Sequence, residues 1–578
     1  MKELMLGNEA VARGLYEAGV RVVSSYPGTP STEITETIAK YDEVYCEWAP
    51  NEKVACEVAV GASIGGARSF CAMKHVGLNV AADPIYTAAY TGVNAGMVLA
   101  VADDPGMHSS QNEQDSRHHA IASKVPMLEP ADSAECLAFA KLAYELSEKY
   151  DTPVMLRLTT RISHARSLVE TGERVEPELK NFPKDPQKYV MMPAMAIKRH
   201  AVVEARQAAL AEYAETADFN RVEDNGAEIG VICSGICYQY AKEALGTSAN
   251  YLKLGLVNPL PVRLIRDFAA KCKTVYVIEE LDGVLETHCK AIGVEVTGKE
   301  IFGYLGELSQ RIVREKLLGV SPKTMSADLE IPGRPPVLCA GCPHRGLFYT
   351  LKKLGCNVSG DIGCYTLGAL APLSSIDSCI CMGASISALH GMNKARGNDF
   401  CKKSVAVIGD STFIHSGVTG LIDIAYNQGV STVIVLDNSI TGMTGHQQNP
   451  TTGYTIKGDP TSAVDLTALA RACGIQRVRV VDPYNLAEVE TAVREELAVE
   501  APSMIISRRP CALLKYVKHK PPLKVKADKC VGCKNCMKIG CPAISIKQGK
   551  AVIDYTQCVG CGVCQQMCRL SAIAGEEE

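Results

Sequence analysis

Apolar and polar positions follow one another along the chain in a way that predicts repeated strand–helix–strand units. Short continuous runs of β-branched and apolar residues are typical of strands buried on both faces of a parallel sheet. The clearest unit joins two such runs, 404–408 and 432–436, through the amphipathic segment 417–427. This segment has about the right length for a crossover helix. The pattern therefore predicts an α/β protein with parallel sheets.

The same pattern predicts further elements on both sides of this unit. Strands are expected at 20–24, 69–73, 97–102, 154–158, 229–233 and 274–278. A helix is expected at 53–62, where small apolar residues recur at helical spacing, and another at 238–245. Ser31 or Thr32 is a suitable cap for a helix that follows the rigid turn at 26–30. Several α/β layers are therefore expected before residue 404.

Two proline-containing segments, 181–200 and 321–337, are expected to be linkers, and a Pro-Pro pair at 521–522 begins the tail. These boundaries predict four domains, at residues 1–190, 191–325, 326–520 and 521–578. The second domain has no recognisable catalytic constellation, so we expect it to serve as a scaffold or a subunit contact.

Composition narrows the class of protein. The chain has 578 residues, is 47% hydrophobic and carries a formal net charge of −4, which suits a soluble α/β protein with ample core. No basic stripe interleaved with aromatic residues is present, so nucleic acid is not an expected partner. Neither a signal-peptide apolar region nor an apolar stretch of about 18 residues is found, so no membrane association is expected. The 25 cysteines favour metal clusters and free thiols in a reducing cytoplasm.

The tail contains two cysteine runs with iron–sulfur spacing. The first is C-x2-C-x2-C-x4-C-P and the second is C-x2-C-x2-C-x3-C. Three thiolates at this spacing bind one cubane, and the remote fourth cysteine of each run ligates the other cluster. This predicts one [4Fe–4S] cluster on Cys530, Cys533, Cys536 and Cys568, and a second on Cys558, Cys561, Cys564 and Cys541. Two zinc sites are the alternative, but they need only C-x2-C pairs and leave the triplets unexplained.

The tail departs from the usual ferredoxin pattern at two places. Four residues, not three, precede Cys541, and Arg569 stands where a proline usually follows the last cysteine. The ligands of the cluster at Cys541 are therefore better specified than its type or potential.

An acid and an amide follow the two strands of the central unit. Gly409, Asp410 and Ser411 follow the first strand, and Asn438 follows the second. Parallel strands bind ligands at their carboxyl ends, and Mg2+ prefers hard oxygen ligands. An ordinary dinucleotide-type unit whose turns carry these residues is the alternative. The arrangement resembles the GDG…N motif of thiamine-diphosphate enzymes, which implies that Asp410, Asn438 and the carbonyl of Ile440 hold Mg2+ and that Gly409 and Ser411 contact the cofactor.

Other segments are similar to those of the 2-oxoacid:ferredoxin oxidoreductase family. The segment 26–31 resembles its YPITPSS motif, and the segments at 339–342, 360–364 and 509–511 resemble those that hold a cluster near thiamine diphosphate. The resemblance implies a third [4Fe–4S] cluster on Cys339, Cys342, Cys364 and Cys511, with Gly363 beside the cofactor. Free buried thiols are the alternative.

The order of the segments is similar to that in the large (alpha) subunits of the indolepyruvate-oxidising members. This implies pyrimidine- and diphosphate-binding domains, a middle domain like the C-terminal domain of transketolase, and a terminal ferredoxin module. The implied reaction converts an aryl 2-oxo acid, coenzyme A and oxidised ferredoxin into an aryl-acetyl-CoA, CO2 and reduced ferredoxin. The implied partners are a smaller beta subunit and soluble ferredoxin, in a hetero-oligomer with at least two copies of this chain.

The resemblance also assigns roles in the first domain. Glu52 matches the catalytic carboxylate beside the aminopyrimidine, and Thr29 matches a residue that contacts the substrate carboxylate. The arginine that accompanies Thr29 in relatives has no counterpart, so Lys74 and His75 are candidates for this task. His344 and His446 lie in motif-like segments and are further candidates for contact with diphosphate or substrate.

Three other functions are compatible with parts of the sequence. An oxidoreductase for pyruvate or 2-oxoglutarate shares the chemistry and differs only in substrate preference. A non-oxidative thiamine-diphosphate decarboxylase or carboligase has no use for the tail clusters. A non-enzymatic iron–sulfur electron carrier needs neither Glu52 nor the Asp410–Asn438 pair.

Overall fold

The computed structural model describes residues 1–321, 323 and 329–575, and the chain forms two compact units, Met1–Asp328 and Leu329–Glu578. Pro322, part of the expected second linker, lies outside the described residues. No helix in the described part of the chain is long and apolar enough to cross a bilayer.

The first unit is built on a seven-stranded sheet. Its strands, in spatial order, are Leu256–Asn258, Met127–Leu128, Val154–Thr159, Met97–Asp103, Ser69–Lys74, Val22–Ser25 and Tyr45–Trp48. All neighbours are parallel except Leu256–Asn258, which runs antiparallel to Met127–Leu128. The four strands predicted before residue 160 are confirmed within two residues. Their buried apolar side chains, including Phe70, Leu99 and Leu156, form the core.

Helices cover this sheet, and a short ribbon closes one side. The helices are Gly7–Glu17, Thr32–Ile38, Glu52–Ile64, His75–Val80, Ala82–Thr91, Arg117–Ser123, Ser133–Tyr150 and Thr160–His164. The ribbon pairs Lys2–Leu6 with Arg166–Glu170. The predicted helix at 53–62 is confirmed and begins at Glu52. The Asn51 side chain accepts a hydrogen bond from the amide of Val54 at 2.9 Å, which caps that first turn.

The first expected linker is wrong in its second half. Residues Pro193–Ala214 form a long helix, because proline at the first helical position costs no hydrogen bond. A short helix, Pro186–Tyr189, precedes it.

A four-stranded sheet follows in the same unit. Its order is Thr274–Ile278, Ile229–Ser234, Ala249–Leu254 and Arg221–Glu223, and only the last strand is antiparallel. The accompanying helices are Gly235–Leu245, Val262–Ala269, Val284–Ala291, Lys299–Phe302 and Gln310–Leu318, with a 3-10 turn at Gly246–Ser248.

A buried ion network lies within the first unit, and sequence reasoning missed it. Arg117 donates to Glu279 at 2.6 Å, and Arg157 donates to Asp103 at 2.7 Å and to Glu129 at 2.6 Å. All five side chains are at most 6% exposed, and their pairing offsets the cost of burying charge. The network joins the seven-stranded sheet to the segment that follows Thr274–Ile278.

The second unit contains a six-stranded parallel sheet. Its order is Ser378–Cys379, Asn357–Gly360, Ser404–Gly409, Thr432–Asp437, Ser503–Arg508 and Arg477–Val481. The main helices are His344–Leu354, Ala384–Arg396, Asn398–Cys401, Val418–Tyr426, Leu466–Ala472 and Leu486–Leu497. Gly409 is in register with Leu436, so the two strands of the central unit end at one edge. Helical structure begins at Asp410, earlier than the predicted 417, and passes through a π-helical turn at Phe413–Gly417.

The tail folds against this sheet domain within the second unit. It pairs Lys524–Val525 with Ile573–Ala574 and contains a hairpin of Ile544–Lys547 and Lys550–Ile553. A 3-10 turn, Asn535–Ile539, and a short helix, Val563–Gln566, each carry a cysteine of one run. Its core consists mainly of apolar side chains, such as Ile539 and Ile573, with buried Cys536 and Cys564, and five further cysteines pack against it.

Candidate functional site

Asp410 lies where strand Ser404–Gly409 gives way to helix, and it is almost completely buried. Its Oδ1 accepts a hydrogen bond from the amide of Ser411 at 2.7 Å, whereas its Oδ2 is buried without a hydrogen-bond partner. Asn438 and Ile440, which follow the neighbouring strand, are also buried. The site therefore contains an unpaired oxygen of the kind that a hard cation requires.

The electrostatics of Asp410 also suit a cation. Burial, followed by the nearby charge of Asp437, raises the pKa of Asp410 to about 8. The carboxylate of Asp437 is engaged, since it accepts a hydrogen bond from Arg508 at 2.7 Å. A divalent cation at Asp410 would offset both effects. The residues present therefore fit Mg2+ bound through Asp410, Asn438 and the carbonyl of Ile440.

The ring of Tyr365 leaves room only for glycine at the position before Asp410. Its buried ring packs so closely that a Cβ on Gly409 would lie 2.7 Å from it, and a Cβ on Gly363 would lie 2.4 Å from it. Its hydroxyl donates to the carbonyl of Ile362 at 2.9 Å. Any side chain at either glycine would displace this ring. Sequence reasoning missed Tyr365, although its place directly after Cys364 was a usable signal.

Asp361 fixes the loop that carries Gly363 and Cys364. Its carboxylate accepts from the amides of Gly383 at 2.9 Å and Ser385 at 3.0 Å, at the start of helix Ala384–Arg396. The Thr412 hydroxyl donates to the carbonyl of Ile362 at 3.1 Å. The loop is thus held between two helix N-termini, one of which begins at Asp410.

The four cysteines of the expected third cluster are close enough to interact electrostatically, and their role as ligands stays a prediction. The thiol of Cys364 lies within electrostatic range of Cys511 and Cys339, and that of Cys342 within range of Cys339 and Cys364. Burial raises the pKa of Cys342 to about 12 and that of Cys364 to about 11. Iron would favour the thiolates instead.

This thiol set adjoins the Asp410 site directly. The amide of Cys511 donates to the carbonyl of Asn438 at 2.9 Å. A Cβ on Gly442 would lie 3.6 Å from the Cys364 sulfur and 3.7 Å from the Asn438 amide nitrogen. His446, predicted as a contact residue, has its Nε2 3.8 Å from the Cys511 sulfur. One edge of the sheet therefore presents both the cation site and the thiols.

His344 is less suited to bind a ligand than its motif suggested. It is buried, packs edge-on against Tyr365 at 6.0 Å between ring centroids, and burial lowers its pKa to about 4. It is therefore a neutral packing residue behind the loop at physiological pH.

The tail thiols gather in the two interleaved sets. A cavity of about 210 Å³ is lined by Cys530, Cys533, Cys536 and Cys568 together with apolar residues. Backbone amides of Ala551 and Ala572 donate to the sulfurs of Cys530 and Cys568 at 3.4 and 3.2 Å. Such bonds are typical around iron–sulfur clusters. Among the described residues, no three His, Cys, Asp or Glu side chains converge as they would on a single metal ion.

The second tail set includes Cys541. The thiol of Cys564 interacts electrostatically with those of Cys561, Cys541, Cys558 and Cys536. The amide of Leu523 donates to the Cys558 sulfur at 3.4 Å. Cys541 therefore lies near the triplet of the other run, and its role as a ligand of that cluster stays a prediction.

In the first unit, Glu52 is buried at the start of its helix. Gly77, in helix His75–Val80, makes room for it, since a Cβ there would lie 2.6 Å from a Glu52 carboxylate oxygen. The carboxylate therefore packs against helix His75–Val80, which begins directly after strand Ser69–Lys74 at the carboxyl edge of the sheet.

Lys74 and His75 differ in what they contact. Lys74 Nζ donates to the carbonyl of Ser109 at 3.0 Å, and the Ser109 hydroxyl donates to the carbonyl of Thr29 at 3.2 Å. Burial lowers the pKa of Lys74 to about 8. His75 is 1% exposed, with Nε2 3.2 Å from the Asn112 carbonyl. Lys74 therefore shares a loop contact with Thr29, whereas His75 points into the core.

Comparison with known proteins agrees with this geometry. Residues 13–230 match the family described as "Pyruvate flavodoxin/ferredoxin oxidoreductase, thiamine diP-bdg". Residues 361–507 match the thiamine pyrophosphate enzyme C-terminal TPP binding domain, and residues 522–569 match the 4Fe-4S dicluster domain.

The whole chain also has close relatives. The indolepyruvate oxidoreductase subunit IorA of Archaeoglobus fulgidus is 40% identical over 99% of this chain and 97% of its own length. The subunit IorA of Methanothermobacter marburgensis is 41% identical over 99% of this chain and 97% of its own. This chain belongs to the indolepyruvate oxidoreductase IorA family. Membership confirms the predicted family and the α/β fold with thiamine-diphosphate and dicluster domains.

A solved 2-oxoglutarate:ferredoxin oxidoreductase from Magnetococcus marinus is a more distant neighbour. It is 18% identical over 55% of this chain and 65% of that chain, with a TM-score of 0.46. A 2-oxoglutarate synthase subunit KorA of Methanothermobacter thermautotrophicus is 29% identical over 31% of this chain.

Proposed function

We propose that this chain is the large subunit of an enzyme that oxidatively decarboxylates aryl 2-oxo acids. Coenzyme A would accept the acyl group and ferredoxin the electrons. The observation that carries the proposal is the Cys511–Asn438 hydrogen bond, which joins a cation site to a set of four thiols at one sheet edge. An aryl substrate is supported by the names of the relatives, which are indolepyruvate oxidoreductases.

The residues around Asp410 would hold Mg2+ and, through it, the diphosphate of the cofactor. When bound, thiamine diphosphate supplies stabilisation of the carbanion that remains after loss of CO2. Asp410 contributes its unpaired Oδ2, Asn438 its amide oxygen and Ile440 its carbonyl. Gly409 and Ser411 lie beside them, and Gly363 lies on the loop that Asp361 holds. These residues orient the diphosphate.

In the first unit, Glu52 is proposed to hold a proton at the pyrimidine ring. Its carboxylate is buried and held by the close packing of Gly77, so it can accept a hydrogen bond in a fixed direction. Lys74 and Thr29 are proposed to bind the substrate carboxylate. We assign Lys74, not His75, to replace the missing arginine, because only Lys74 shares a loop contact with Thr29.

Three [4Fe–4S] clusters are proposed to carry the electrons. The set of Cys339, Cys342, Cys364 and Cys511 lies nearest the cation site. The two tail sets follow, and single-electron steps through them match the one-electron acceptor ferredoxin. A cytoplasmic hetero-oligomer with a smaller beta subunit and at least two copies of this chain completes the proposal.

The decisive experiment is anaerobic reduction of a viologen dye or ferredoxin by the chain co-expressed with its small partner, with coenzyme A present. Indolepyruvate, phenylpyruvate, pyruvate and 2-oxoglutarate would be compared as substrates. A preference for the two aryl acids is expected. Preference for pyruvate or 2-oxoglutarate would change the substrate and keep the chemistry. No reduction by a protein with bound cofactor and full iron would overturn the proposal.

A further inference from the structure

Arg345 is a buried cation between two of the thiol sets. It is the second residue of helix His344–Leu354 and only 4% exposed. It follows Cys342 by three positions, at the point where the sheet domain meets the tail within the second unit.

The guanidinium donates to backbone carbonyls on both sides of this junction. On the sheet-domain side, Nε donates to Cys339 at 3.0 Å and Nη2 donates to Leu338. On the tail side, Nη1 donates to Ile539 at 3.1 Å and also to Gly540. Cys339 is itself a proposed ligand, and Gly540 directly precedes Cys541. The guanidinium therefore binds the backbone of one proposed ligand, Cys339, and the backbone of the residue directly before another, Cys541. These two cysteines belong to different clusters.

In the part of the chain that the structure describes, no carboxylate pairs with Arg345. The ionisable groups that act on its charge are the thiols of Cys342, Cys541, Cys339 and Cys561, which would be negatively charged only as cluster ligands. A buried cation without a counter-charge is strongly unfavourable. Iron–sulfur clusters with four thiolates carry a net negative charge that grows by one on reduction, so the loaded clusters would supply what the protein lacks.

The unusual spacing before Cys541 belongs to the same junction. Gly540 ends the turn Asn535–Ile539 with a positive φ of 67°, a conformation that favours glycine. A Cβ there would lie 2.9 Å from Pro372 and 3.2 Å from Arg345 Nη1. The extra residue of the C-x4-C spacing thus accompanies a turn whose last two carbonyls face the guanidinium.

We propose that Arg345 is a positioning residue for electron transfer between the cluster on Cys339, Cys342, Cys364 and Cys511 and the cluster on Cys541, Cys558, Cys561 and Cys564. Its hydrogen bonds hold the two ligand loops together, and its charge stabilises the added electron on either cluster. The inference rests on the proposed function, because it takes these thiols to be cluster ligands.

Other contacts hold the junction, so variants at Arg345 should still fold. On the sheet-domain side, the Tyr484 hydroxyl donates to the carbonyl of Gly341. Gln566, in the tail, donates to the Tyr484 carbonyl at 2.6 Å and accepts from the Leu486 amide at 3.1 Å.

The test is a potentiometric titration, followed by electron paramagnetic resonance, of enzyme co-expressed with its small partner under anaerobic conditions. Arg345→Gln should retain full iron and lower the reduction potentials of two clusters. The expected change in each one-electron equilibrium is tenfold or more, equal to 59 mV. The potential of the cluster on Cys530, Cys533, Cys536 and Cys568 should stay unchanged. Arg345→Lys keeps the positive charge, so the reduction potentials of all three clusters should shift by less than 59 mV.

Arg569→Gln is the matched control, because Arg569 follows Cys568 but is exposed, where solvent screens its charge. It should leave all three potentials within the same limit. Full iron with unchanged potentials in Arg345→Gln, or equal shifts of all three clusters, would overturn the proposal. If Arg345→Gln loses iron, its reduction potentials can no longer be compared, and the result for Arg345→Lys decides the proposal. Lowered potentials or lost iron in that variant would also overturn it.

The proposed function is tested separately, in the same preparation without substitution. If the unsubstituted enzyme holds only two clusters, the third cluster is wrong. The role of Arg345 is then tested on the reduction potential of the cluster at Cys541 alone. A change of less than tenfold in the one-electron equilibrium of that cluster in Arg345→Gln would reject this role.

Discussion

At the scale of single residues, the candidate site residues lie at the carboxyl edges of the seven-stranded and six-stranded sheets. Strand ends were predictable because β-branched runs stop at Gly409 and Asp437, and the acid and amide follow at once. The unpaired Oδ2 of Asp410 was not predictable, because it depends on which amides surround the carboxylate after folding.

Asp410→Ala should weaken Mg2+-dependent retention of thiamine diphosphate by more than about 100-fold, since even indirect partners of a metal site contribute 10- to 100-fold. Iron should remain at its full content. Isothermal titration of anaerobically purified protein, with iron analysis, measures both. Asp423→Ala, on the exposed face of helix Val418–Tyr426, is the control and should bind normally. Parallel loss of iron in the Asp410 variant would make this residue structural.

The neighbours Lys74 and His75 show where sequence reasoning ends at this scale. They adjoin a strand–helix junction, and consecutive side chains there point in different directions. Only the fold decides that Lys74 faces Ser109 and that His75 faces the Asn112 carbonyl.

Lys74→Met should lower kcat/KM for the 2-oxo acid by about 10- to 100-fold, mainly through KM, because a charged hydrogen bond to the substrate is lost. Lys74→Arg should retain most activity. Steady-state kinetics with the preferred substrate tests this pair. Equal kinetics for Lys74→Met and the unsubstituted enzyme would remove Lys74 from substrate binding.

At the scale of elements, hydrophobic periodicity predicted the strands correctly, whereas the prediction of a linker after Pro193 was wrong. Proline residues there indicated a linker, but proline at the first position of a helix is compatible with Pro193–Ala214. The loop after Ser503–Arg508 was recognised by resemblance alone. Its spatial role follows from parallel pairing with Thr432–Asp437, which places Cys511 beside Asn438.

Cys511→Ser should lower the iron content by up to one cluster's worth, because this loop supplies the fourth thiolate of the proposed third cluster. Iron analysis of anaerobically purified protein is the measurement. Cys473→Ser is the matched control, since Cys473 ends helix Leu466–Ala472 away from any thiol set, and its iron should stay constant. Unchanged iron in Cys511→Ser would reject the third cluster.

At the scale of the whole molecule, composition and cysteine spacing predicted the class of protein and the tail module, but not the buried ions of the first unit. Charged residues far apart in sequence, such as Arg117 and Glu279, carry no pattern that reveals their pairing. Glu280 adjoins this network, and burial raises its pKa to about 7.

Glu280→Gln should stabilise the first unit at pH 8 by about 1–3 kcal/mol and have little effect near pH 4.5. The folded state holds the Glu280 proton up to about pH 7, whereas the unfolded chain releases it near pH 4.5. The free energy of unfolding of the unsubstituted protein therefore decreases as the pH rises from about 4.5 to about 7. The glutamine variant has no proton to lose here, so its free energy of unfolding should not show this decrease. The Leu308 amide, which donates to the Glu280 carboxylate, can donate to the side-chain oxygen of the glutamine instead.

Urea unfolding followed by the fluorescence of Trp48, the single tryptophan, reports on this unit. Glu243→Gln, at an exposed position, should show no such pH dependence. Parallel pH profiles for Glu280→Gln and the unsubstituted protein would mean that Glu280 is ionised in the folded state at all these pH values.

The cysteine-rich core of the tail has a consequence for the life of the protein in the cell. Seven of its eight cluster cysteines lie in or against its small apolar core, so we expect a module of this kind to owe much of its folding to bound iron. When iron is scarce, newly made copies would keep an unfolded tail exposed to proteases. We expect the amount of this protein, and not only its activity, to follow iron supply.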